Sequence, residues 1–461
     1  MRPPAGGLFC LCNSSPALGG EEWVRGRRER AVLDIRLIRE RPEEVERALA
    51  QKGGAELIKG IAARDADRRR LIHESEELKA LRNKASEAIG QAKRRGEDAS
   101  AEQARMREVS ERIKDLDGQL KVVDEAIEEL LVQVPNLPHP SVPPGTSDAD
   151  NVEVRKWGTP RAFSFEPKPH EDVGEKLGLL DIERATKIAK SRFAVLWGPL
   201  AHLERALAQF MLDLHTREHG YTELWLPHLV SAETMLRTGQ LPKFEEGLFK
   251  TMEADENRTL YLIPTAEVSL SALHGGEVLD ERTLPRRYTA FTPCYRREAG
   301  TYGKDMKGIY RQHQFDKVEM VKMTTAGQAY AELESMVANA EEVLRRLELP
   351  YRVVERCVGD LGFSAAKGYD IEVWRPASGK YTEISSCSTY ADFGGRRADI
   401  RYRPDGGGRP EFTHTLNGSG LAVGRTVIAV LENYQESDGT VTVPSVLRPY
   451  MNGLERIGPA R

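Results

Sequence analysis

Gly418-Ser419-Gly420-Leu421-Ala422-Val423-Gly424-Arg425 is the stretch on which the fold turns, together with Arg296-Arg297-Glu298 over a hundred residues earlier. The first reads as a Gly-rich turn entering an apolar segment that carries an arginine. The second sets a fixed cation and a carboxylate two residues apart, so that on a strand Arg296 and Glu298 share a face. Together they suit a nucleotide, whose phosphates match guanidinium forks and whose base needs a flat platform. Neither string is a P-loop: the chain has no G-x-x-x-x-G-K-[ST] sequence and no strand–G-x-G-x-x-G–helix unit.

Just downstream, Tyr310-Arg311-Gln312-His313-Gln314-Phe315-Asp316-Lys317-Val318-Glu319 reads as a strand presenting Arg311, His313, Phe315, Lys317 and Glu319 on one face. That row combines cations, an aromatic plate and a carboxylate. Gly300, Gly303 and Gly308, with Lys304, Asp305 and Lys307, form the loop of a hairpin back to the Arg296 strand. Alone, such a ribbon is more often an ordinary charged surface hairpin. Beside the other strings it is a candidate site.

These strings resemble motifs 2 and 3 of the class II aminoacyl-tRNA synthetases. Leu260-Tyr261-Leu262-Ile263-Pro264-Thr265-Ala266-Glu267-Val268 and Thr382-Glu383-Ile384-Ser385-Ser386-Cys387-Ser388 narrow the resemblance to the seryl-tRNA synthetases of bacterial type. It runs from about Leu33 to about Tyr450. It implies an α+β chain with an antiparallel β-sheet catalytic domain flanked by helices, plus an N-terminal antiparallel α-helical coiled-coil arm. The implied activity is that of a serine–tRNA ligase. L-serine is activated with ATP to seryl-adenylate and passed to tRNA(Ser), and to tRNA(Sec) where the organism has one. A cytoplasmic homodimer using Mg²⁺ and no zinc is implied as well.

Carried over residue by residue, the resemblance makes Arg296 and Arg425 the catalytic cations. ATP contacts fall on Arg296, Arg297, Glu298, Arg311, Phe315, Glu383, Ile384, Ser385, Ser386 and Arg425. Serine contacts fall on Thr265, Ala266, Glu267, Arg296, Glu319 and Ser419, and Mg²⁺ on Glu383 and Ser386, whose oxygens suit that ion. The chemistry fits these types. Charge grows on the α-phosphoryl group as the serine carboxylate attacks, so a preplaced cation stabilises it. Carboxylates answer the serine ammonium, and a buried acceptor answers its hydroxyl; which of Glu267 and Glu319 meets the hydroxyl is open. Without the resemblance, turn or cap duty explains Thr265 and Ser419 equally well. Asp392-Phe393-Gly394-Gly395-Arg396-Arg397 departs from the family, which carries Gln-Ala where this chain has Gly-Gly, and implies a looser loop there.

The 461 residues suffice for two or three domains with a large core. At 40% apolar, 30% charged and a net charge of −4, the composition is that of a soluble globular protein, and any nucleic-acid surface must be local. Five scattered cysteines form no C-x-x-C pair and no zinc spacing, which fits buried or free thiols in a reducing compartment. No apolar run is long enough to span a membrane.

Residues 32–134 read as the helical arm. Met106, Val109, Ile113, Leu116, Leu120, Val123, Ile127, Leu130 and Val134 alternate three and four apart, a heptad seam. Leu71, Leu78, Ala85 and Ala92 form a weaker one, and Gly96 marks the turn between them. About thirty residues per helix predicts a rod of about 45–50 Å. Between Lys79 and Gly96 stand six cations (Lys79, Arg82, Lys84, Lys93, Arg94 and Arg95) against one acid, Glu87. A solvated helix face is the plain explanation of that run; the resemblance makes it the tRNA-binding tip, gripping phosphates without reading bases.

The Pro-rich stretch 135–169 reads as a linker, and 170–461 as the catalytic domain. Within it, Leu203, Leu207, Phe210 and Leu214 line a helix that Gly220 ends, and Tyr221–Leu226 reads as a strand stopped by Pro227. This pair resembles motif 1, the dimer-interface element. Residues 1–31, rich in Pro, Gly and Arg, read as a disordered extension or a miscalled start, with a GTG start at Val32 hidden by an upstream Met; Glu21, Glu22 and Glu29 count against a transit peptide. A carrier-protein ligase of the same fold would lack the long arm. A catalytically dead paralogue would have lost Arg296, Glu383 or Arg425.

Overall fold

The computed structural model describes residues 33–252, 258–299 and 307–459. The expected start near Val32, the cysteines at 10 and 12, and Gly300, Gly303, Lys304 and Asp305 lie outside them.

Helices α1 (Ala55–Arg94) and α2 (Ser100–Leu131), of 40 and 32 residues, form the antiparallel pair. At 1.5 Å per residue they extend about 60 and 48 Å. The first exceeds the expected length because its helix begins at Ala55, well ahead of the Leu71 seam. Met106, Ile113, Leu116 and Ile127 are buried against the Leu71 and Ala85 side of α1. Ion pairs flank the seam, Arg68–Asp124 at 2.6 Å, Arg112–Glu74 at 2.7 Å and Lys79–Asp117 at 2.9 Å. The turn is made at Gly96, with φ +76°. Beside it Lys84, Lys93, Arg94 and Arg95 are exposed and Arg82 partly so, with Arg95 3.3 Å from Glu97.

The body is built on an eight-stranded sheet. In chain order its strands are β1 (Val152–Trp157), β2 (Thr222–Glu223), β3 (Arg286–Tyr295), β4 (Gln314–Thr324), β5 (Tyr351–Glu355), β6 (Lys367–Arg375), β7 (Lys380–Thr389) and β8 (His414–Ala422). Their spatial order is β1-β5-β6-β7-β8-β4-β3-β2, antiparallel except for the short β2–β3 pair. Helices α3 (Gly198–Arg217), α4 (Ala329–Arg346) and α5 (Val423–Asn433) pack on one face of this sheet. The period of two is visible in β4: Val318 and Met320 enter the core under the helices, while Phe315, Lys317 and Glu319 face the other way.

Several readings change. The strand after the loop starts at Gln314, not Tyr310. His313 is pulled off the ladder, its N–H donating to the Arg192 carbonyl and its own carbonyl accepting from Arg296 N. Arg296 and Glu298 lie beyond the end of β3, and Glu298 has φ +47°, so the two do not share a strand face. Gly418–Ala422 is strand rather than turn, running directly into α5. Its glycines serve close packing: a Cβ at Gly418 would stand 2.7 Å from Cys387 Sγ and 2.8 Å from Met336 Sδ, and one at Gly420 would overlap the His215 ring. The expected strand Tyr221–Leu226 is reduced to Thr222–Glu223, and Trp225 is 91% exposed. Inside the stretch read as linker, Val152–Trp157 is the edge strand of the sheet. Phe393–Ala398 is a short helix rather than a loose loop, and a Cβ at Gly395 would overlap the Thr413 carbonyl.

Arm and body meet at a joint that is both apolar and polar. Leu49, Ile58, Ile61, Leu131 and Val134 share a core with Phe363 and Phe393. Asn136 Nδ2 donates to the carbonyls of Ser364 (2.9 Å) and Tyr390 (2.7 Å), and Lys52 Nζ to those of Asn136 (2.8 Å) and Ala365 (2.5 Å). The buried Arg397 reaches the Val132 carbonyl at 2.6 Å.

Candidate active site

The free face of β3, β4, β8 and β7 floors a cleft of about 520 Å³. Register brings its residues together: Glu319 stands opposite Ala290 on β3 and Ser419 on β8, and Asn417 opposite Ser388 on β7. Thr265, Glu267, Arg296, Glu298, Arg311, Phe315, Glu383, Ile384, Ser386, Ser419 and Arg425 all line the cleft.

At one end is a buried polar cage. Glu319 is fully buried, accepts from Thr265 Oγ1 at 2.9 Å and is ion-paired with Lys317, whose Nζ also reaches Thr265 Oγ1 at 2.8 Å. Thr265 Oγ1 also accepts from Glu267 N, at 3.3 Å, although the residue at the helix cap is Ala266. Asn417 Nδ2 bridges Glu267 Oε2 (2.9 Å) and Glu319 Oε1 (3.3 Å), while Tyr390 Oη donates to Asn417 Oδ1 at 2.8 Å. Burial and the neighbouring Glu319 charge push Glu267 up to about 7.

At the other end the Arg296 guanidinium lies 5.1 Å over the Phe315 ring, with its Nε donating to the Pro264 carbonyl at 3.1 Å. Arg311 NH1 meets Glu298 Oε2 at 3.3 Å. Arg425, in the first turn of α5, reaches back to the Glu383 carbonyl (2.9 Å) and carboxylate (3.4 Å) and stacks 4.7 Å over Tyr310. Burial works against the Glu383 charge, but Arg425, Arg356 and Arg296 outweigh it and hold the carboxyl below its usual range.

Three sequence candidates stand elsewhere. Arg297 is exposed, its backbone tied to the Gly247 carbonyl. Ala266 is buried at the entry of helix Glu267–Ala272. Ser385 lies behind the floor, donating to the Ser419 carbonyl at 2.7 Å. The arm cations stand on α1 and its tip, outside the cleft. Conversely, Asn417, Tyr390, Arg356 and Asp370 line the site without having been singled out for it, and Lys317, read on the candidate strand face, was given no role there. Lys317 was readable two residues before Glu319 on the same strand face, and Asn417 directly precedes the Gly-Ser-Gly string. Arg356 and Asp370 carried no signal: strand pairing alone sets Asp370 opposite Ser386, with Arg356 NH1 3.3 Å from Ser386 Oγ.

Residues 249–434 match the tRNA synthetase class II core domain (G, H, P, S and T), and residues 32–138 match the seryl-tRNA synthetase N-terminal domain. The serine–tRNA ligase of Pelobacter propionicus is 54% identical over 426 residues, 92% of this chain and 100% of that protein. The chain belongs to the seryl-tRNA synthetase family. The serine–tRNA ligase of Geobacter sulfurreducens is likewise 54% identical, over 93% of this chain and 100% of its own length. Among solved structures, seryl-tRNA synthetase from Pyrococcus horikoshii complexed with ATP superposes with a TM-score of 0.88 at 38% identity, covering 93% of this chain and 100% of that one. Cytoplasmic serine–tRNA ligase from Naegleria fowleri in complex with AMP gives 0.84 at 30% identity, over 93% and 99%.

Proposed function

We propose that this cleft activates L-serine with ATP and that the enzyme passes the seryl group to tRNA(Ser), and to tRNA(Sec) where one exists. The observation that carries the reading is the unbalanced cage: Glu319 has Lys317 as its cation, whereas Glu267, among the described residues, has no cation in ion-pair contact. A substrate ammonium supplies the missing charge. Thr265, Asn417 and Ser419 then surround a small hydroxyl with hydrogen-bonding groups. Such a cage rejects alanine, which would leave those groups unpaired, by about 10⁴-fold or more.

The serine carboxylate then lies toward Arg296. Its oxygen attacks the α-phosphorus of ATP, the bond to the β-phosphate breaks, and pyrophosphate leaves. Arg296 stabilises the charge on the α-phosphoryl oxygens, Phe315 offers its ring to the adenine, and Arg311 and Arg425 meet the outer phosphates. In the second half-reaction a ribose hydroxyl of the terminal adenosine attacks the seryl carbonyl and AMP leaves. Mg²⁺ fits beside Glu383 and Ser386: both are oxygen donors, and the neighbouring Asp370 Oδ1 is buried with no hydrogen-bond partner. When bound, it would neutralise charge on the phosphates. The dimer is assigned to α3 and the segment through Pro227, where Trp225 stands exposed, and the enzyme to the cytoplasm.

ATP–pyrophosphate exchange measured with each of the twenty amino acids tests the reading. Serine alone should support exchange; exchange with another amino acid and not with serine would overturn it.

A further inference from the structure

The segment that returns to β4 is held from behind by a histidine with no part in the cleft itself. His170, the first residue of helix His170–Lys176, is 1% exposed. Its Nε2 accepts a hydrogen bond from Ile309 N at 3.0 Å. Gly308, at φ +64°, lays its backbone against the ring, and a Cβ there would overlap the imidazole. The other ring nitrogen, Nδ1, faces two carboxylates, Glu171 Oε2 at 3.0 Å and Glu432 Oε1 at 3.5 Å. Glu432, fully buried on α5, is shared with Arg375 at 2.6 Å. Arg375 in turn stands 5.5 Å over the Tyr310 ring that Arg425 covers at 4.7 Å. Ile309, Tyr310, Arg311 and Gln312, all lining the cleft, are therefore pinned where they begin by one acceptor nitrogen.

An amide N–H only donates, so Nε2 must carry no proton while the contact exists. The ring proton then sits on Nδ1, on the side of the two carboxylates. A second proton has only Nε2 to occupy, and there it would confront the Ile309 N–H. We propose that His170 is a positioning residue for the ATP end of the cleft: its Nδ1-protonated neutral ring holds Ile309–Gln312 in place, and protonation of Nε2 releases that segment and weakens ATP binding. The inference rests on the ATP-dependent reading above. Burial disfavours the imidazolium, but Glu171 and Glu432 outweigh it and raise His170 above its ordinary value of 6.5, which brings the release toward neutral pH. Arg375 is the cation of the same cluster and opposes that rise through Glu432.

The test is ATP affinity by titration calorimetry with the full-length enzyme at pH 8 and pH 6, for wild type, His170→Gln and His170→Ala. A glutamine places a carbonyl oxygen near Nε2 that accepts at either pH. At pH 8 wild type and His170→Gln should agree within about twofold, and at pH 6 wild type should bind about fivefold or more weakly than His170→Gln, because only its competent fraction falls. His170→Ala should be weakened at both pH values. Should the alanine variant not fold, the glutamine comparison decides. Parallel pH dependence in wild type and His170→Gln, or unchanged affinity in a folded His170→Ala, overturns the proposal. Serine-dependent exchange by wild type tests the activation reading separately, so the two can fail independently.

Discussion

Glu267 and Glu319 share one amide: Asn417 Nδ2 lies 2.9 Å from Oε2 of the first and 3.3 Å from Oε1 of the second. The amide has an N–H for each, but two adjacent buried carboxylates repel one another, which favours a proton on one of them unless a cation arrives. Lys317 is the cation beside Glu319, which leaves Glu267 as the carboxyl that burial pushes toward its protonated form.

Serine binding should therefore release a proton. Below about 7 the free enzyme holds Glu267 protonated, and the substrate ammonium favours its carboxylate. Affinity should rise with pH by up to about tenfold per unit below that value and level off above it. Calorimetry in buffers of different ionisation enthalpy should register the proton at pH 6 and little at pH 8, and Glu267→Gln should abolish the difference. Serine affinity that is flat from pH 6 to 8 would refute the assignment.

Arg296→Ala should slow serine-dependent pyrophosphate exchange by at least about a hundredfold, since it removes a preplaced donor at the reacting phosphorus. Arg296→Lys should recover little of it, because the guanidinium both stacks on Phe315 and donates from Nε to Pro264. Far-ultraviolet circular dichroism should be unchanged. Exchange within about threefold of wild type would remove Arg296 from the chemistry.

Removing residues 80–109 and joining the stubs by a short turn should spare exchange while aminoacylation of tRNA falls sharply. The cut leaves the Arg68–Asp124 and Arg112–Glu74 pairs in place, so the stump should remain helical. Replacing Lys93, Arg94 and Arg95 with glutamine should flatten the salt dependence of tRNA binding by up to about three log units of slope. An unchanged charging rate would sink the role assigned to the tip.

Asn136→Ala should lower stability by about 1–3 kcal/mol, because the part-buried Ser364 carbonyl loses its donor and the Tyr390 carbonyl keeps only Phe393 N. Urea denaturation measures this directly. Gly362–Ala365 lines the cleft and hangs from the same joint, so transfer to tRNA should fall more than exchange does. Equal losses in both assays would make the joint a matter of stability alone.

Much of this was legible in the residues because the motifs carry their chemistry in short strings. The seam from Met106 to Val134 fixes helix α2 by its period, and Phe315, Lys317 and Glu319 share a face by theirs. What was misread was local geometry set by distant partners. Gly418 and Gly420 look like turn residues, yet they are glycines because Cys387, Met336 and His215 press on a strand from outside. Tyr310–His313 has strand composition, but Arg192 draws His313 off the ladder. Arg356 and Asp370 join the site only through the pairing of β6 with β7, which no single segment specifies.

The pairing of Glu319 with Ser419 joins two strands far apart in the chain. A ribosome that has made everything through β7 has produced a polypeptide with the Arg296 hairpin and no wall beside it. Strand β8 then inserts between β7 and β4 and helix α5 packs on the sheet behind it, supplying Asn417, Ser419 and Arg425 together. Such long-range pairing is slow and comes late. A chain ending before residue 414 would therefore lack Asn417 and Ser419 from one end of the cleft and Arg425 from the other.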